Sequence, residues 1–227
     1  MSVHMQLDLS ELHRDLLSMC SRVEDMIHRA VNLLANPEHE KTLRLIKDDT
    51  EIDRWDVRIE DACLKILALY QPVAIDLRRI TTVMKVAGEL ERVADLAVNI
   101  AERASGLLNS PQVVIPEQLK EMSERVVNML RRSIDAYVDL NSEVALKVCE
   151  EDAEIDQMNR GVIEQLIEAM HQSPDQLDAL LHLFSAVRQV ERVGDHATNI
   201  AEDVVYLVEG RIIRHARKFE KEARSIS

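Results

Sequence analysis

Apolar residues recur at three- and four-residue steps over most of this chain, the period of a helix with one buried face. Val86, Leu90, Val93, Ala97 and Ile100 form one such stripe, and charged residues occupy the rest of the turn. Turn residues divide the pattern into six long segments. The first helix is expected from Ser10, a suitable N-cap, to about Ala35. Asn36-Pro37-Glu38 then offers an N-cap, a proline at the first helical position and an acid in the first turn. A second helix continues to about Tyr70, where Gln71-Pro72 interrupts it, and a third runs from Val73 to about Ser105, with Gly106 as its stop. Helix four follows Pro116 and ends near Asn141-Ser142. Helix five reaches about Gln172, and Ser173-Pro174-Asp175 opens helix six, which ends near Gly210.

The chain also repeats itself. Residues 91–102 read ERVADLAVNIAE and residues 191–202 read ERVGDHATNIAE, identical at nine of twelve positions without a gap. Upstream, DDTEID at 48–53 matches EDAEID at 151–156, so order and spacing agree. The expected fold is all-α: two tandem, pseudo-symmetric, antiparallel three-helix bundles in series, because connections this short make neighbouring helices antiparallel. The first repeat spans 1–106, a linker 107–116, the second repeat 117–210, and a basic tail or helical extension 211–227.

Composition narrows the picture. Only 3% of residues are aromatic against 46% hydrophobic, which suits aliphatic helix packing better than a sheet. The net charge is −13. The tail carries six basic groups against Glu220 and Glu222, which leaves −17 on the body. Such a body repels phosphate backbones, so no nucleic-acid partner is expected. Cys20, Cys63 and Cys149 show no close spacing and read as reduced, buried thiols. The N-terminus lacks the apolar stretch of a signal peptide, and no segment offers about 18 uncharged apolar residues. The expected location is the cytoplasm, with any membrane contact made through partners.

Chemistry concentrates in the acids. At about 100° per residue, Glu91, Asp95, Asn99 and Glu102 fall within about 80° of one another. Glu191, Asp195, Asn199 and Glu202 repeat the arrangement. Asp49 and Asp53 form a further i, i+4 pair, matched by Asp152 and Asp156. Like charges four apart disfavour a helix by about 0.2–0.5 kcal/mol per pair, and this cost is met four times. The copies also differ at positions taken to be exposed beside the stripe, Val98/Thr198 and Leu96/His196, while the acids, the Asn and Arg92/Arg192 are kept. A cation bound between neighbouring helices accounts for both observations. Hard oxygen donors suit Mg²⁺, Mn²⁺, Ca²⁺, iron or Zn²⁺ without choosing among them. The competing readings are a solvated face and a network in which Arg92 and Arg192 pair with the acids.

The doubled ERVxDxAxNIAE, with an acid-x-x-x-acid pair one helix earlier, resembles the PhoU family over essentially the whole chain. DLRRI at 76–80 and Lys85 also fit that pattern, whereas the second half has Arg188 but no DLR. The resemblance implies a cytoplasmic, often dimeric regulator that restrains the phosphate-starvation response and phosphate uptake. Its implied partners are the ATPase subunit of the phosphate ABC transporter and the phosphate sensor histidine kinase. Metal ligands implied for this chain are Asp49, Asp53, Glu91 and Asp95 in one half and Asp152, Asp156, Glu191 and Asp195 in the other. Asn99, Glu102, Asn199 and Glu202 rank second, and His196 is not expected to be required. No enzymatic activity is expected. The rivals are a metal-dependent carboxylate-bundle enzyme, for which the paired Glu-x-x-His segments are lacking, and a metal-free helical scaffold.

Overall fold

The computed structural model describes residues 3–108, 110 and 113–213. Six helices account for most of them: α1 (Val3–Ala35), α2 (His39–Tyr70), α3 (Ala74–Ser105), α4 (Glu117–Val138), α5 (Ser142–Gln172) and α6 (Leu177–Glu209). The all-α, six-helix expectation is borne out. So is the tandem pair of three-helix bundles, and the two lie side by side. α3 and α6 pack on each other as a central pair; α1 and α2 gather on α3, α4 and α5 on α6, and α1 also touches α4. One hydrophobic core runs through both halves. The reason lies in the breadth of the central helices' apolar faces. α3 buries Ala87, Ala94, Ala97, Ala101 and Ala104 beside its larger residues, and α6 buries Ala186, Gly194, Ala197 and Ala201. Small side chains on several faces let three helices approach one axis closely. α2 and α5 bury narrower stripes and stay outside.

Contacts across the central pair are antiparallel: Lys85 meets Asp203, and Glu89 meets Asn199. Each central helix is closed by a glycine facing a side chain of the other. A Cβ on Gly106 would run into the His182 ring, and one on Gly210 into the Arg78 guanidinium.

Several boundaries differ from expectation. α1 begins at Val3, and Ser10 sits inside it, its hydroxyl donating to the Gln6 carbonyl (2.8 Å). Asn36 does not cap α2: its N–H still bonds Asn32 of α1, and the N-cap is Glu38, in extended backbone without a side-chain bond. Proline 37 thus precedes the helix. Gly106 closes α3 in right-handed conformation (φ −64°), so the close approach of His182, not a left-handed turn, calls for glycine there. Asn141 does cap α5, its side chain accepting from the N–H groups of Glu143 and Val144 at 3.1 Å. After Ser173 a single 3-10 turn (Pro174–Gln176) precedes α6. Gly210, at φ 74°, ends α6, and 211–213 are not helical, so the tail does not continue it there; the remainder of the tail lies outside the described residues. Cys20, Cys63 and Cys149 are buried and not joined in disulfides. No described helix is long and apolar enough to cross a membrane.

Candidate functional site

Two seams carry the acids, one between α2 and α3 and one between α5 and α6. In each, the acid just before the upstream pair is claimed by the first helix of its own half. Arg22 and Arg29 of α1 both bond Asp48, Arg22 at 2.7 Å, and Arg132 of α4 bonds Glu151. That leaves the next residues, Asp49 and Asp152, to the seams. The buried stripes fix the register: Val86, Leu90, Val93, Ala97 and Ile100 are fully enclosed, which turns Glu91 and Asp95 toward α2.

In the first seam the carboxylates lie close enough to oppose one another's ionisation. Burial, then the charges of Asp53, Asp95 and Glu91, raise the Asp49 carboxyl from 3.8 to about 6. Glu91 is raised by burial and by Asp95, Asp56 and Asp53, with Arg92 opposing. Asp56 joins the group, raised by burial, Glu60 and Asp53. In the second seam, burial followed by Glu191, Asp152 and Asp156 raises Asp195 to about 6, although the residue still faces solvent; His196 opposes the rise. Glu191 is raised by burial, Asp156 and Asp152, against Arg188 and Arg192. All eight first-rank residues therefore gather in two groups of four, one per half, with burial and like charge acting in the same direction.

The second-rank residues are placed differently. Asn199 donates to Glu89 of α3 at 3.1 Å, which commits it to the contact between halves. His196, its ring nitrogen 2.6 Å from the same carboxylate, does likewise. Asn99 is half-buried. Glu102 and Glu202 do not figure among the charges that raise these carboxyls, and Glu202 lies beside Lys85 and Tyr206. Leu96 and Val98, taken as exposed, are not: Leu96 is 2% exposed and Val98 packs on the core. Their divergence from His196 and Thr198 therefore reflects different packing. Arg92 reaches Glu91 (3.4 Å) and Asp95 (3.9 Å) in the first seam, whereas Arg192 bonds Gln189. The salt-bridged reading thus has geometric support in one half and a weaker counterpart in the other.

Sequence reasoning passed over three features. Asp56 follows Asp49 at i+7 and Asp53 at i+3, spacings that were there to be used. Glu89 gave no signal, because its role depends on α6. One Glu-x-x-His spacing does exist, Glu168 to His171, in the last turns of α5. There Glu168 accepts from Gln172 (2.7 Å), and no second pair accompanies it.

As a donor set for a metal, the seams fit in kind and in proximity: hard carboxylate oxygens from two helices whose charges oppose one another. The side chains are not preformed around a point. Among the described residues, no three His, Cys, Asp or Glu side chains are arranged so as to hold an ion as they stand.

Comparison with known proteins agrees with the duplication. The family model described as the PhoU domain matches twice, at residues 16–104 and 119–204. A phosphate-specific transport system accessory protein PhoU homolog of Clostridium acetobutylicum is 33% identical over 90% of this chain and 94% of its own length. One from Pseudomonas putida is 34% identical over 92% of this chain and 82% of its own. Among solved structures, PhoU from Pseudomonas aeruginosa superposes with a TM-score of 0.86 at 31% identity, covering 91% of this chain and 99% of that one. The phosphate transport system regulatory protein PhoU from Streptococcus pneumoniae gives 0.83 at 27%, over 92% and 98%.

Proposed function

The chain belongs to the PhoU family, and on that premise we propose that it is an accessory regulator of a phosphate-specific transport system rather than an enzyme. It restrains phosphate uptake and the phosphate-starvation response by joining the transporter's ATPase subunit to the phosphate sensor kinase, and it works in the cytoplasm as a homodimer. What supports this reading is the match of both repeats, over nearly the full length of relatives named as accessory proteins. The strongly acidic body favours partners with basic surfaces and salt-sensitive association.

The two carboxylate seams hold metal ions in this reading. Asp49, Asp53, Glu91 and Asp95 would serve one seam, and Asp152, Asp156, Glu191 and Asp195 the other. A bound cation supplies positive charge that lets these carboxylates ionise together. The chain's own residues do the rest. Arg22, Arg29 and Arg132 divert Asp48 and Glu151 from the seams, and the enclosed stripes keep Glu91, Asp95, Glu191 and Asp195 on their helix flanks. Oxygen donors of this kind admit Mg²⁺, Mn²⁺, Ca²⁺, Zn²⁺ or iron.

Affinity capture with the full chain, from cells grown with and without phosphate, tests the regulatory reading. Recovery of the ATPase subunit or the kinase is expected, and recovery of neither overturns it. The metal reading is tested separately, by metal analysis of protein purified without chelator beside the double variant Asp95→Asn, Asp195→Asn. Stoichiometric metal in the native chain alone is expected; none in either leaves a scaffold of ion-paired acids.

A further inference from the structure

The segment DLRRI at 76–80, present in the first half only, opens α3 beside a cavity of about 330 Å³. Early α1, early α3, the end of α4 and the end of α6 all line it, so both halves contribute. Its floor is aliphatic: Leu12, Ile80 and Leu207 are each at most 3% exposed. A void of this size at the lower bound for ligand pockets holds roughly ten heavy atoms, taking about 30 Å³ for a water.

Three helices bring polar groups to the cavity. Arg79 lines it with no carboxylate in ion-pairing range among the described residues. Tyr137 is 5% exposed, and its hydroxyl lies 3.4 Å from Nδ1 of His13. Whichever nitrogen carries the proton, that pair keeps a spare donor. If the phenol donates to Nδ1, then Nε2–H is free; if Nδ1–H donates, the phenol proton is free. Burial pushes the phenol's pKa up, so the hydroxyl keeps its proton at neutral pH.

At the rim, Leu140 takes a left-handed conformation (φ 51°) to close α4, while the Asn141 N–H bonds the Ala136 carbonyl at 2.9 Å. Glycine is the usual residue in that place; here a leucine accepts a disfavoured backbone and lines the cavity. The duplication does not copy the site, because the residue matching Arg79 is Ala179, which is buried.

We propose that this cavity binds a small amphiphilic anion: a carboxylate or phosphate monoester on an apolar body of about five to eight carbons. The anionic head lies against Arg79 and the His13–Tyr137 pair, and the apolar body on Leu12, Ile80 and Leu207. An isolated guanidinium above an aliphatic floor gives a neutral analogue of equal length only the second half of that contact.

The test uses the full chain, with Leu and Val methyl groups followed by NMR during titration with octanoate, octyl phosphate, octan-1-ol and octylamine. Saturable shifts at Leu12, Val83 and Leu207 are expected for both anions, with affinity at least tenfold above that for the alcohol and the amine. Arg79→Met should remove the tenfold preference. Val138→Trp, at a position 45% exposed on the rim, should block all four compounds while leaving the thermal midpoint in place. Equal binding of acid and alcohol overturns the proposal. So do shifts confined to other parts of the chain, no shift at millimolar ligand, an anion preference that survives Arg79→Met, or anion binding that survives Val138→Trp.

Discussion

Replacing Asp49 by Asn keeps the size of the side chain and takes one charge out of the first seam. In the native chain burial, Asp53, Asp95 and Glu91 together lift that carboxyl from 3.8 to about 6. The folded chain therefore holds the Asp49 proton more tightly than the unfolded chain does. Its contribution favours folding at low pH, declines as pH rises from about 4 to 6, and is lost above that range. The distance from 3.8 to about 6 corresponds to about 3 kcal/mol. Asp49 keeps part of its surface in water, and solvent screening reduces the expectation to about 1.5 kcal/mol. Chelator-washed Asp49→Asn protein should thus be more stable than the native chain by about 1.5 kcal/mol at pH 7.5 and indistinguishable near pH 4. At about 2–4 °C per kcal/mol for a chain of this size, the midpoint rises by about 3–6 °C. Urea unfolding from pH 4 to 8, with thermal scans beside it, measures the difference. Added Mn²⁺ at pH 7.5 should then raise the native midpoint more than the variant's. A variant that is less stable at pH 7.5, or a difference that does not change with pH, refutes the claim that like charge is stored in this seam.

Lys85→Met leaves the Asp203 carboxylate, 4% exposed, without the ammonium now 2.8 Å away. Lys85 itself is 46% exposed and water can reach the gap, so urea unfolding should show a loss of about 2 kcal/mol, below the full cost of breaking a buried pair. Asn141→Ala removes the side-chain cap of α5 and should cost about 1 kcal/mol by the same assay. Glu89→Ala should uncouple the two seams. Asp49→Asn and Asp195→Asn are expected to be non-additive in the native chain by about 0.5 kcal/mol or more, and additive once Glu89 is gone. Additivity in the native background counts against coupling.

What the sequence disclosed was whatever is local or repeated. A doubled twelve-residue string and an acid pair at i, i+4 each survive translation from chain to fold, because both depend only on helical pitch. Six helices and two groups of four acids follow directly. The side-by-side packing did not follow, since the surface shared by α3 and α6 is written in alanines whose stripe reads as ordinary core from within one helix. Leu96 failed for the same cause: on an isolated α3 it falls at the edge of the polar stripe, and only neighbouring helices bury it. The roles of Glu89 and Asp203 were invisible, and Arg79 was legible only as part of DLRRI at 76–80. Each acquires its role from residues about 60 to 120 positions away, as in the Lys85–Asp203 and Glu89–Asn199 contacts. The Ser10 and Asn36 caps failed because an N-cap residue inside an otherwise continuous apolar period does not stop a helix whose face is already buried.

Duplication gave the chain two equivalent seams, but the contact between its halves is not symmetric. Glu89 accepts from His196 and Asn199; the matching residues are Gln189, Leu96 and Asn99. Lys85 pairs with Asp203, where the matching residues are Ser185 and Arg103. The asymmetric contacts lie close to the acids. Glu89 is two residues before Glu91, and His196 follows Asp195 directly. The coupling that the Glu89→Ala cycle measures would run along this route of two or three side chains, on helices whose core packing leaves little room to shift separately. Two isolated bundles would keep their seams independent. By packing α3 on α6, and by setting Glu89 of one half against His196 and Asn199 of the other, this chain joins the helices that carry both seams into one central pair.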